Sequence, residues 1–241
     1  MTTLVVGANG ATGKQLVEQL AIREQKVKVL VRPTSKLPDW WSNNGHITLI
    51  RASISETSEA EMIEHLKDCK AVASCLGHNI TLKGIFGKPR KLVTNSVQLI
   101  CTAIQKNTSE HPIKFVLMNT TGNRNKDVEE PVSMGEKIVM RLIRLLVPPQ
   151  SDNEKAADFL RTNIGQKNKL IEWVAVRPDA LIDEAHVSEY ILFASPIRSA
   201  VFNPGKTSRI NVGHFMSELI TKDELWYKWK GQMPVIYNKE A

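Results

Sequence analysis

Two rhythms of hydrophobic positions run through this chain. Short apolar runs, rich in β-branched residues, recur at 3–6, 27–31, 47–50, 71–75, 114–118 and 172–176. Each is bounded by polar or turn-forming residues and predicts a buried strand. Between the runs, apolar residues fall three and four apart, which predicts helices lying on a sheet. Such helices are expected at 11–24, at 56–67 with Met62, Ile63 and Leu66 inward, and at 92–104 with Val93, Val97, Ile100 and Ile104 in helical register. Two more are expected near 133–147 and 152–163, with Pro148 and Pro149 as the stop between them. Beyond Pro178 the pattern loosens to a short strand at 191–193, a helix at 212–221 and a last strand at 235–237.

This alternation of strand and helix predicts the α/β class: a Rossmann-type doubly wound parallel sheet, built as one domain over residues 1–241. Residues 178–241 would form a small substrate-facing region over the carboxyl edge of the sheet, where open α/β sheets take their ligands.

The first strand runs into a turn whose glycines stand at Gly7, Gly10 and Gly13, followed by a helix. Gly7 suits the tight turn, Gly10 a close approach of backbone to a pyrophosphate, and Gly13 close packing of helix on strand. Free amides at a helix start, with its dipole, suit a diphosphate. Gly7, Asn9, Gly10, Ala11, Thr12 and Gly13 are therefore the candidate cradle of a dinucleotide. Arg32 directly follows the second strand, where an acid would hold the ribose hydroxyls of NAD. A guanidinium there suits the 2′-phosphate of NADP(H).

Other candidates sit at the same ends of later strands. Ser53, Leu76 and Gly77 are placed to line the adenine and the ribose nearest the nicotinamide. Asn119 is a further cofactor-binding candidate, and the hydroxyls of Thr120 and Thr121 could hold a substrate carbonyl, or simply bond their own turn. Lys155 is a candidate for the nicotinamide ribose. After Arg177 and Pro178, backbone amides could meet the nicotinamide, with Asp179 capping or pairing with Arg177. Lys137, Arg141 and Arg144 share one side of a helix whose remaining face is broadly apolar; packing by the following segment is favoured over a dimer seam or an acyl-binding wall as its cover. Trp40 and Trp41 are candidates for a surface cap or a cleft rim.

The net charge of +7 raises nucleic-acid binding, but the basic residues are scattered and form no reader motif. A surface that attracts a polyanionic cofactor accounts for the charge. Cys69, Cys75 and Cys101 form no C-x-x-C pair, and the six histidines have no ligand spacing, so no metal is expected. No basic segment with an apolar core opens the sequence and no apolar run spans a bilayer. The expected setting is cytoplasmic, with a small-molecule substrate, no nucleic-acid or membrane partner, and a monomer or homodimer.

The glycine spacing, Val31-Arg32-Pro33, Asn119-Thr120-Thr121-Gly122 and the run from Val174 to Pro178 together resemble an atypical short-chain dehydrogenase/reductase. The likeness covers the whole chain and points to the NmrA-like group, similar to biliverdin reductase B/flavin reductase. It implies a Rossmann core, NADP(H), and reduction of a flavin, quinone or conjugated carbonyl. Short-chain dehydrogenases/reductases outside this atypical group carry Tyr-x-x-x-Lys and a serine after the fifth strand, and the atypical group often lacks them. Here Lys155 has Ser151 four residues before it, and Thr120 or Thr121 stands in for the serine. The resemblance thus implies Thr120, Thr121 and Lys155 as catalytic candidates and leaves a second reading: an NADP(H)-binding sensor that does not turn over.

Overall fold

A computed structural model describes residues 1–78, 89–107 and 111–239. The chain runs β1 (Thr2–Val6), α1 (Ala11–Ile22), β2 (Lys26–Val31), α2 (Asp39–Ser42), β3 (Ile47–Arg51), α3 (Glu59–Leu66) and β4 (Cys69–Ser74). It continues through α4 (Leu92–Lys106), β5 (Ile113–Met118), α5 (Met134–Leu146), α6 (Pro148–Phe159) and β6 (Ile171–Pro178). Last come β7 (Ala180–Ile182), β8 (Tyr190–Phe193), β9 (Lys206–Ser208), α7 (Arg209–Thr221), α8 (Asp223–Trp229) and β10 (Val235–Asn238).

The main sheet has the order β3-β2-β1-β4-β5-β6-β10-β8. The first seven strands in that order pair in parallel, and β8 alone runs antiparallel, against β10. Strand order reverses between β1 and β4, which opens a crevice at their carboxyl ends. Both faces of the sheet are covered, which is why its strands read as continuous apolar runs. Leu4, Val6, Val72, Phe115 and Leu117 face one core with Met62, Leu66, Val97, Ile100 and Leu160. The alternate residues Val5, Val29, Ala73, Val116 and Val174 face the other, with Leu16, Leu20, Phe215 and Leu219.

Several local expectations shift. Helix α3 begins at Glu59 rather than near residue 56 because Ser58 forms a capping box with Glu61. Pro148 and Pro149 do not merely separate two helices: they open α6, where a first-turn proline loses no hydrogen bond. Trp41 is buried in the second core while Trp40 is partly exposed, and neither lines either of the two cavities described below. The packing expected over α5 reaches only one side of it. Met140 is buried, but Met134, Ile138, Leu142, Leu145 and Leu146 point outward, with Met134 71% and Leu145 78% exposed. The elements α2, β7, β9 and α8 were not visible in the pattern; β7 and β9 form a separate two-stranded parallel sheet.

Candidate functional site

The glycine turn is built as its spacing requires. Gly7 has φ +73°, and a Cβ there would lie 2.6 Å from the carbonyl carbon of Cys75, just past the end of the neighbouring β4. A Cβ on Gly13 would lie 2.2 Å from Gly7 O. Gly10 caps α1 with its backbone alone, since no side chain accepts from the first-turn amides and no acid stands in that turn. Those amides, from Ala11, Thr12 and Gly13, remain open to an anion.

The turn forms one wall of a cleft of about 350 Å³. Val31 at the end of β2, Arg32 and Ser35 after it, Ala52 to Ser55 after β3, and Cys75 to His78 after β4 line the rest, with Pro89 and Leu92. Arg32 is exposed and its guanidinium has no partner among the described residues. Ser53 Oγ lies 2.9 Å from Ser55 Oγ. Asn9 Oδ1 is buried without a partner among the described residues. An unpaired cation, open amides and a glycine-lined wall fit the phosphates of a dinucleotide.

A larger cavity, about 1170 Å³, lies beyond β5. Thr121, the loop at 122–133, the inner sides of α5 and α6 and residues 196–200 line it. At its entrance, Asn119 Nδ2 donates to Asn153 O at 3.1 Å, and Thr120 N donates to Asn119 Oδ1 at 2.9 Å. Thr120 Oγ1 accepts from Gly122 N at 3.2 Å. Thr121 Oγ1 donates to Asp179 Oδ1 at 2.9 Å, and Gly205 N donates to Asp179 Oδ2 at 2.8 Å. Burial raises the Asp179 carboxyl above the ordinary aspartate range against the pull of those donors.

Two placements correct the sequence reading. Lys155 is not among the residues that line either cavity. The buried side of α6 runs through Asp152, Ala156 and Ala157, which leaves Lys155 exposed and outside both cavities. Arg177 is not a cofactor ligand through its side chain, which is 0% exposed. It pairs with Glu130 at 2.7 Å and donates to the carbonyls of Met233, Asn123 and Ala194. It therefore ties the loop after β5 to the C-terminal strands. Asp179 bonds Thr121 and Gly205 instead of Arg177, and Pro178 O accepts from Thr121 N at 3.1 Å.

The sequence reading missed one buried pair. His78 Nε2 lies 2.8 Å from Asp152 Oδ2, with both side chains nearly inaccessible. The same carboxylate accepts from Val93 N at 2.8 Å, Thr94 N at 3.0 Å and Thr94 Oγ1 at 2.6 Å. It thereby caps α4 from another helix, because Lys91 at the cap position supplies no acceptor. The only sequence signal was an aspartate in the first turns of a predicted helix.

Switch-point crevice, glycine turn and phosphate-ready cleft define a dinucleotide-binding α/β protein of the Rossmann type. The match to known families agrees: the NAD(P)H-binding family model covers residues 7–223. The chain belongs to that NAD(P)H-binding family. No curated protein matches it. Among solved structures it is similar to a short-chain dehydrogenase/reductase from Veillonella parvula in complex with NADP (14% identity, 98% of this chain and 94% of that one, TM-score 0.70). It is also similar to ChuY, an anaerobilin reductase from Escherichia coli (13%, 100% and 98%, 0.68). A third is a candidate NADH-flavin reductase from Streptococcus pneumoniae (19%, 99% and 100%, 0.67). At these identities the likeness is one of fold. Among the described residues no helix is long and apolar enough to cross a membrane, and no cluster of metal-ligating side chains is present.

Proposed function

We propose that the chain is an NADPH-dependent reductase of a conjugated acceptor such as a flavin, a quinone or a carbonyl conjugated to a double bond. The observation that carries this reading is the pairing of two cavities at one sheet edge. The narrow cleft has the unpaired Arg32, and the broad one, about 1170 Å³, exceeds the size of ordinary drug-sized pockets. Arg32 would hold the 2′-phosphate, and the amides of Ala11 to Gly13 the diphosphate. Ser53, Leu76 and Gly77 would line the adenosine and ribose. The bound cofactor supplies hydride. The protein's own part is to orient the acceptor against it and to exclude water. Thr121 is held by Asp179 and would position the acceptor rather than ionise. The flavin and anaerobilin reductions named for two of the fold neighbours support an acceptor of this class.

Titration of the protein with NADPH and NADH, followed by tryptophan fluorescence, tests the cofactor half. NADPH oxidation with FMN and menadione tests the rest. Tight NADPH binding with turnover is expected; binding with no turnover by any acceptor would overturn the reductase reading. The outward apolar face of α5 favours a second reading, an NADP(H) sensor that docks a protein partner. Binding without turnover is its signature.

A further inference from the structure

We propose that His78, held by Asp152, is the proton donor of this reduction, in the place that the missing tyrosine leaves open; the assignment rests on the reductase reading. His78 ends the turn after β4 and lines the dinucleotide cleft beside Leu76 and Gly77. Its partner Asp152 lies on the first turns of α6. The next residue, Asn153, offers its carbonyl to Asn119, two residues before the Thr121 that opens the large cavity. His78 thus lines the smaller cleft, and Asp152 links it through Asn153 and Asn119 to the turn that carries Thr121, between the carboxyl ends of β4 and β5. A nicotinamide and its acceptor must meet there if the cofactor follows the cleft.

The hydrogen bonds fix which nitrogen does the work. Asp152 receives three donors from the start of α4, and a carboxylate can only accept, so His78 Nε2 is a fourth donor to it. Nδ1 is then the nitrogen that gains and loses a proton. Two groups with charge face this imidazole: Asp152 from α6, and Arg32 across the cleft as the other charged side chain lining it among the described residues. In the step, the acceptor's electrophilic atom, a carbon of a conjugated carbonyl or quinone or N5 of a flavin, would gain a bond to hydrogen from the hydride that the bound cofactor supplies. The acceptor's oxygen or nitrogen takes the proton from Nδ1, the N–H bond breaks, and the neutral imidazole recovers a proton from water. Neither threonine candidate matches this, since a hydroxyl does not ionise near neutral pH. Asp152 is a positioning residue.

The test uses His78→Gln and Asp152→Asn in the full chain, with NADPH and either menadione or FMN. His78→Gln, whose amide can still donate to Asp152, should lower kcat about a hundredfold at saturating NADPH. Wild-type kcat should fall as pH rises, and the variant's should be flat. In nitrogen-15 spectra, neutral His78 should carry its proton on Nε2, a preference that Asp152→Asn abolishes. Retained kcat with an unchanged pH profile in His78→Gln, or a neutral tautomer protonated on Nδ1, overturns the assignment and leaves the reductase reading intact. Absence of wild-type turnover with normal NADPH binding overturns both.

Discussion

Gly10 and Gly13 stand three residues apart in one turn, yet alanine at each should fail in a different way. At Gly13, a Cβ would sit 2.2 Å from Gly7 O and 2.9 Å from Ala8 Cα and Ala8 O. All three are backbone atoms, so no side chain can swing aside, and α1 must move off β1. Overpacking of this kind costs about 3 kcal/mol, at the upper end of its usual range. Alanine regains about 1 kcal/mol by its better helix propensity. The net loss is about 2 kcal/mol, or roughly 4–8 °C in melting temperature for a chain of this size. Gly10 has an ordinary φ of −69°, and the nearest atom to its Cβ would be Gly7 O at 3.2 Å. Gly10→Ala should therefore change stability by less than about 1 kcal/mol. Its methyl group would instead occupy the wall where backbone meets the diphosphate, and NADPH affinity should fall about tenfold or more. Thermal melts by circular dichroism and NADPH titration by tryptophan fluorescence, run on both variants, separate the two effects. If Gly13→Ala melts with wild type, or Gly10→Ala binds NADPH as wild type does, the assignment of roles within the turn is wrong.

Three further outcomes are expected. Arg32→Asp removes a charge-assisted phosphate contact of about 1.5–3 kcal/mol, so NADPH affinity should fall more than tenfold while NADH binding holds; equal loss of both would refute the 2′-phosphate role. Arg177→Met leaves Glu130 buried and unpaired, which should cost about 3–5 kcal/mol and lower the melting temperature by about 10 °C; a stable variant would show that the pair contributes little. Burial pushes the thiol of Cys69 up to about 11 and that of Cys75 to about 12, and raises Cys101 as well. Native protein at pH 8 should then leave all three unlabelled by Ellman's reagent. These raised values contribute stability below the unfolded thiol range of about 8.5 that is lost as pH climbs toward 11–12, so the melting temperature should fall over that interval. Rapid labelling of native protein would contradict the burial.

How much of this was legible in the sequence depends on how far apart the partners lie. The β1 turn into α1 needs only residues 2–22, and its glycine spacing states its own steric demands. The order of strands and helices follows from period alone, because both sheet faces are covered. Arg177 shows where local reading stops. Its place after a strand looks like a cofactor position, but Glu130, in the loop after the preceding strand, and three carbonyls from separate segments claim it. The same holds for α5, where the pattern gives an amphipathic helix and only tertiary contacts say that Val139, Met140 and Ile143 turn inward while Met134, Ile138, Leu142, Leu145 and Leu146 face outward. It holds most for His78 and Asp152, which are 74 residues apart. Neither carries a motif. They meet because β5 lies beside β4, which brings the start of α6 against the turn after β4 and the start of α4. A proton donor assembled this way leaves no spacing to read, so a search for Tyr-x-x-x-Lys finds only its absence. In a scaffold whose cofactor site is written in consecutive residues, the acid-base chemistry can reside in a tertiary contact, and the His78 variants test that division of labour directly.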